Sequence, residues 1–82
     1  MFDRWLKCDV FRGMFSDEFA VVVSTSGGEC VSAFVPSDRV EGKAEQAGRV
    51  RVRVFEETGR SWAVLPNESQ TIIAVEPSEL AV

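Results

Sequence analysis

The segment from residue 49 to residue 54 alternates strictly between arginine and valine. A two-residue period places successive side chains on opposite faces of a β-strand, so the valines share one face and the arginines share the other. We expect the valine face to pack against a core. The arginines Arg49, Arg51 and Arg53 are then expected to form a line of positive charge on the outer face, which we call the arginine ridge.

Short apolar runs of the same kind recur along the chain, and glycine, proline and polar residues separate them. They predict six strands, at residues 6–11, 19–24, 30–35, 50–55, 61–65 and 71–75. No apolar pattern with a helical period is long enough to predict a helix. Because a chain of 82 residues can bury only one core, residues 1–82 are predicted to form a single all-β domain.

The register of the hairpin between the second and third predicted strands follows from matching apolar side chains across it. A three-residue loop at 26–28, with Gly28 in the left-handed conformation, brings Val23 opposite Val31. A two-residue turn would instead bring Val23 opposite Ser32. The three-residue loop is predicted, since a slip of one residue turns every side chain to the other face.

This register leaves Ala20, Val22 and Phe34 on the opposite face, which is unusually apolar for a surface in contact with water. One interpretation is that the sheet curls into a barrel and covers these residues. The other is that they form a surface for self-association. The first is favoured because a small barrel bends its strands so that both faces are partly buried.

The same comparison sets the hairpin between the fourth and fifth predicted strands. A three-residue loop at 57–59 pairs Val54 with Trp62, whereas a two-residue loop pairs Arg53 with Val64. The three-residue loop is predicted because it keeps charge away from the core.

A turn of similar chemistry is predicted at two places. Pro-Ser followed by an acidic residue occurs at residues 36–38 and again at 77–79, each time close after a run that ends in valine. Proline and serine interrupt strands, so each site is expected to form a short turn. Two occurrences of so short a pattern are weak grounds for an internal repeat.

Composition excludes several classes of function. The chain has two cysteines and no histidine, so it has no Ser-His or Cys-His nucleophile pair and too few soft ligands for a structural zinc site. No phosphate-binding loop or nucleotide fingerprint is present. We therefore expect a protein that is not an enzyme and that binds no cofactor or metal.

The expected location is the cytoplasm. No apolar run is long enough to span a bilayer, and the residues after Met1 do not form the apolar segment of a signal peptide. In a reducing compartment Cys8 and Cys30 remain thiols, and both are expected to be buried or half-buried. Cys8 is predicted to face the core because it alternates with Leu6 and Val10.

The arginine ridge is the strongest candidate for a binding surface. Phe55 lies on the same face, and the predicted register adds Leu65 opposite Arg51. Arginine interleaved with aromatic and aliphatic groups is typical of interaction surfaces. The competing interpretation is a solvated strand face whose charges discourage edge-to-edge aggregation. It is favoured because most surface charges contribute little to stability.

The predicted architecture is a small antiparallel β-barrel, or a strongly bent sheet, of five to six strands. It resembles SH3-type barrels, with OB-type barrels as the alternative, and the likeness is one of architecture because no family motif is present. Such barrels often serve as binding modules. The leading hypothesis is therefore a non-catalytic protein-protein interaction or assembly module.

Charge favours a protein as the partner. The chain carries 13 acidic and 9 basic residues, a net charge of −4, whereas nucleic-acid-binding domains are usually basic. The expected partner is a protein with an acidic surface that meets the arginine ridge, and no membrane contact is expected. A barrel that binds single-stranded nucleic acid is the alternative. A further alternative is a structural protein that self-associates through Ala20, Val22 and Phe34, so the chain is expected to be a monomer or a weak homodimer.

Overall fold

The computed structural model describes residues 1–82 and contains strands and short 3-10 turns. The strands are β1 (Phe2–Arg12), β2 (Glu18–Ser24), β3 (Cys30–Pro36), β4 (Val40–Glu41), β5 (Gln46–Glu57), β6 (Arg60–Val64), β7 (Ile72–Val75) and β8 (Leu80–Ala81). The 3-10 turns are η1 (Ser37–Arg39) and η2 (Pro77–Glu79). The predicted all-β class is confirmed, and the six predicted strands correspond to β1, β2, β3, β5, β6 and β7. None of the helical turns has the length and apolar character that crossing a membrane would require.

The strands form one antiparallel sheet in the order β3-β2-β1-β5-β6-β7, which curls into a half-barrel. Buried residues occur at every second position of the strands because only the concave face is packed. Valine supplies most of this core. Its members are Leu6, Cys8, Val10, Val21, Val23, Ala33, Val35, Val50, Val52, Val54, Ala63, Leu65, Ile73 and Val75.

The predicted register of the first hairpin is confirmed. Val23 pairs with Val31 and Val21 pairs with Ala33. Gly28 has a φ of 86°, the left-handed conformation that the three-residue loop requires.

The predicted register of the second hairpin is wrong. Thr58 and Gly59 have φ values of 54° and 77°, and they form the two central residues of a type I′ turn. Arg53 therefore pairs with Val64, and both side chains lie on the outer face.

This turn reverses the faces of β6 relative to the prediction. Trp62 and Val64 point outward and are half-buried, whereas Leu65 belongs to the core with 1% of its surface exposed. The inward positions of β6 are the small residues Ser61 and Ala63. A concave face filled by valine-sized groups accommodates these small side chains and has no space for an indole ring.

The pairing pattern is symmetric about the Leu6 and Val50 pair at the centre of the sheet. The series β1, β2, β3, η1, β4 corresponds to β5, β6, β7, η2, β8. After its 3-10 turn, β4 returns to pair with β5 at Val50, and β8 returns in the same way to pair with β1 at Leu6. The two Pro-Ser turns are thus η1 and η2, at corresponding places in two halves of one sheet.

Few residues are the same in the two halves. The strand pairings define which positions correspond. Positions with the same residue in both halves include Val10 and Val54, Phe11 and Phe55, Val22 and Val64, and Val35 and Val75. The repeat is therefore evident in the pairing pattern and weak in the sequence.

The observed register can be tested by truncating neighbouring side chains of the second hairpin. We expect Leu65→Ala to lower the free energy of unfolding by about 2 to 5 kcal/mol because it leaves a cavity in the core. Val64→Ala on the outer face should cost about 1 kcal/mol or less. Urea denaturation followed by tryptophan fluorescence measures both, and equal costs for the two variants would contradict the register.

Candidate functional site

The arginine ridge occupies the outer face of β5, near the centre of the sheet. The valines that alternate with it are buried, so the predicted division of β5 into a charged face and a core face is confirmed. Arg53 is exposed, and Arg49 and Arg51 are half-buried.

Trp5 on β1 lies beside two of these arginines. It pairs with Arg51 across the β1–β5 ladder. The guanidinium carbons of Arg49 and Arg51 lie 4.7 Å and 5.1 Å from the centre of its ring system. A cation at this distance is attracted to the face of an aromatic ring. Sequence reasoning did not assign Trp5 to the site, because only the long-range pairing of β1 with β5 brings it there.

Arg49 is already neutralised by a carboxylate of its own chain. Its Nε donates a hydrogen bond of 2.8 Å to Oε1 of Glu41, and its Nη2 lies 2.5 Å from the same oxygen. Glu41 is its cross-strand neighbour on β4. Arg49 therefore helps to fasten β4 to β5, whereas Arg51 and Arg53 form no ion pair within the chain.

Apolar groups flank the ridge on its other side. Phe55 pairs with Trp62 across the hairpin, and both are half-buried on the outer face. Val64 adjoins Arg53 on the same face. The placement of Leu65 on this surface is corrected, because the type I′ turn directs its side chain into the core. The mixed surface thus combines arginine with Phe55, Trp62 and Val64.

A second apolar area lies on the outer face of the other half. Phe34 and Phe11 are 49% and 40% exposed, and Ala20 lies half-buried between them. Val22, two residues further along β2, is half-buried on the same face. The expectation that curling of the sheet covers this face is wrong for Phe34, since β3 is an edge strand of the half-barrel. We call these four residues the phenylalanine patch.

Comparison with protein-family models, curated proteins and solved structures finds no match for this chain. No group of three or more His, Cys, Asp and Glu side chains is placed to hold a metal ion.

The two thiols differ in environment. Cys8 is in the core, as predicted, whereas Cys30 is exposed, contrary to expectation. Burial raises the pKa of the Cys8 thiol to about 11, and the neighbouring carboxylate of Asp9 adds to this shift. A thiol reagent at neutral pH should therefore modify Cys30 and leave Cys8 protected until the chain unfolds.

The raised pKa of Cys8 predicts a loss of stability in alkali. The unfolded thiol loses its proton near pH 9.0, before the folded one does, so the stabilising effect is complete below that pH and declines as the pH rises. We expect the free energy of unfolding to fall by roughly 2 kcal/mol between about pH 9 and pH 11. Urea unfolding across this range measures the slope. Cys8→Ala removes the ionising group, and a variant with the same slope as the wild type would refute the assignment.

Proposed function

We propose that this chain is a non-catalytic protein-protein interaction module of the cytoplasm that binds an acidic segment of a partner protein. The single observation that carries the proposal is a pair of arginines without ion-pair partners, Arg51 and Arg53, on an outer face that also presents Phe55 and Trp62. Arginine and tryptophan are the residue types that most often dominate binding energy at protein interfaces. In this proposal the small barrel serves, like SH3-type barrels, as a rigid support for a binding face, which is an argument by analogy.

The charge distribution supports an acidic partner. The chain as a whole has a net charge of −4, and the unpaired arginines form a positive area within that negative background. Such a contrast orients an acidic partner during encounter and disfavours contacts elsewhere on the surface. The apolar groups beside the arginines would then contribute burial after the charges have aligned.

Single-stranded nucleic acid is a less favoured ligand for the same face. Base stacking requires an open aromatic ring, but the guanidinium groups of Arg49 and Arg51 already lie over Trp5. Phe55 and Trp62 are each half-buried and pack side by side. The net negative charge also opposes attraction to a phosphate backbone.

Replacing the two unpaired arginines tests the proposal. A fluorescent peptide rich in Glu and Asp should bind the wild-type chain, and Arg51→Ser with Arg53→Ser should weaken binding about tenfold or more. The matched control is Arg12→Ser with Arg60→Ser, which removes the same charge from two exposed arginines outside the ridge. Fluorescence anisotropy at two salt concentrations provides the dissociation constants.

Two outcomes would remove the proposal: equal affinity of the two double variants for the acidic peptide, or tighter binding of an oligothymidine of equal length. The second outcome would favour the nucleic-acid alternative, for which binding falls steeply with salt. Arg49 is left intact in both variants because its ion pair with Glu41 fastens β4.

Self-association is a second candidate function, and the phenylalanine patch favours it. The patch ends at β3, which has no neighbour on its outer edge and carries no charged residue. The backbone N–H of Thr25 donates to the carbonyl oxygen of Glu29, and that of Ser37 donates to the carbonyl oxygen of Asp17. These two bonds determine which residue pairs of the β2–β3 ladder are hydrogen-bonded and which are not. By alternation, the backbone N–H and C=O groups of Ser32 and Phe34 point away from β2. A second copy could pair with this edge and extend the sheet around a twofold axis.

Sedimentation measures this candidate directly. We expect the wild-type chain to form a dimer whose population rises with concentration, and Phe34→Ser to weaken that dimer about tenfold or more. Ile72→Ser is the matched control, since Ile72 is an exposed apolar residue on the outer face of the other half. A wild-type chain that remains monomeric throughout the concentration range would exclude the dimer.

A further inference from the structure

A cleft opens along β5 where two neighbouring strands fail to meet. On this edge β5 pairs with β4 at Arg49 and Val50 and with β6 from Arg53 onward, so the intervening residues pair with neither strand. The cleft has a volume of about 250 Å³. Its lining residues are Pro36, Arg39, Arg51, Arg53, Val64, Leu65, Pro66, Asn67 and Gln70.

Three cations line this cleft, and no acidic residue does. Arg51 and Arg53 come from the ridge, and Arg39 is the last residue of η1. None of the three forms an ion pair within the chain. We call this site the arginine cleft.

The other half of the sheet contains the corresponding cleft with a different charge. It lies on the edge of β1 between β8 and β2 and has a volume of about 220 Å³. The strand pairings make Lys7, Asp9 and Glu79 the counterparts of Arg51, Arg53 and Arg39. In this twin cleft the Nζ of Lys7 lies 3.9 Å from a carboxylate oxygen of Glu79. The twin cleft therefore holds one cation and two carboxylates, so the fold does not require three arginines at this place.

The chemistry of the arginine cleft matches a doubly charged oxyanion. Guanidinium groups recognise phosphate and carboxylate oxygens through paired N–H donors, and they keep their charge at every physiological pH. The amide of Gln70 is a further donor in the lining. A phosphate monoester carries about −1.5 to −2 at pH 7, whereas a carboxylate or a phosphodiester carries a single charge. Three cations thus favour the monoester.

We propose that the arginine cleft binds a phosphate monoester, carried as phosphoserine or phosphothreonine by the partner protein. The inference rests on the proposed function and deepens it, because it names the acidic group that Arg51 and Arg53 would hold together with Arg39. The apolar walls formed by Pro36, Val64 and Pro66 can contact the peptide around the modified residue.

Three peptides of one sequence test the proposal, with serine, glutamate or phosphoserine at the central position. Fluorescence anisotropy should give a dissociation constant for the phosphoserine peptide that is at least about tenfold lower than for the glutamate peptide. Inorganic phosphate should displace the phosphoserine peptide. Equal binding of the phosphoserine and glutamate peptides would overturn the proposal.

The pH dependence of binding reports on the ionisation of the ligand. The chain has no histidine, and the charged groups that line the cleft are the three arginines. The second pKa of a phosphate monoester is about 6, so affinity should fall as the pH decreases through that value. The glutamate peptide should show no such fall, and a flat profile for the phosphoserine peptide would count against the monoester.

Arg39→Gln isolates the cleft from the rest of the ridge. This exposed residue should be replaceable without loss of folding, and we expect affinity for the phosphoserine peptide to fall about tenfold or more. Arg12→Gln removes the same charge from the end of β1 and should leave affinity unchanged. Equal affinity of the two variants would overturn the proposal.

The outcomes separate the two proposals. If the glutamate peptide still binds through Arg51 and Arg53 while the phosphoserine peptide gains nothing from Arg39, the phosphate site fails and the acidic-partner proposal stands. If neither peptide binds, both fail.

Discussion

The antiparallel pairing of β1 with β5 is the interaction on which the rest of the protein depends. These two strands contain 11 and 12 residues and are the longest in the chain. Every other strand is attached to this pair, because β2 and β8 join β1, β4 and β6 join β5, and the edge strands follow. The pairing joins residues that are far apart in sequence, so its chain entropy cost is offset chiefly by the apolar side chains that the two strands bury together.

A close approach between backbones determines where β4 meets this pair. A Cβ atom at Gly48 would lie 2.6 Å from the carbonyl oxygen of Glu41 and 2.9 Å from Cγ2 of Val10, so only glycine allows β4 to lie so near to β5. Gly42 has a φ of 138°, which lets the chain leave β4 directly beside Gly48. Because η1 immediately precedes β4, this contact also sets the position of Arg39 along the edge of β5. The position of Arg39, the third cation of the arginine cleft, therefore depends on Gly42 and Gly48.

Predictions from the sequence were correct where residues close together in the chain determine the local structure. Alternation identified the core face of β5, and side-chain matching gave the first hairpin, whose glycine adopts the required conformation. The second hairpin failed because the adopted turn places Thr58 at a positive φ, which is rare for a β-branched residue. It failed also because the prediction places Val64 in the core, whereas Val64 lies on the outer face beside Arg53. Which face of β6 is buried depends on how all the strands pack together. For a related reason the sequence did not predict that Trp5 and Arg39 belong to the site, since only pairings between distant strands bring them to the ridge.

Comparing the two corresponding clefts shows which charges the fold requires and which charges only a ligand would require. Two cations of this chain have carboxylate partners, because Glu41 pairs with Arg49 and Glu79 lies near Lys7. Arg53 has none, although Asp3 lies opposite it in the β1–β5 ladder. Three guanidinium groups around one cleft without such a partner repel one another, which lowers stability slightly in water and more strongly where solvent is excluded. The twin cleft shows that the same strand pairing is compatible with a set of charges of both signs. Folding alone therefore gives no reason for the charge of the arginine cleft, whereas an anion supplied by a partner would give one.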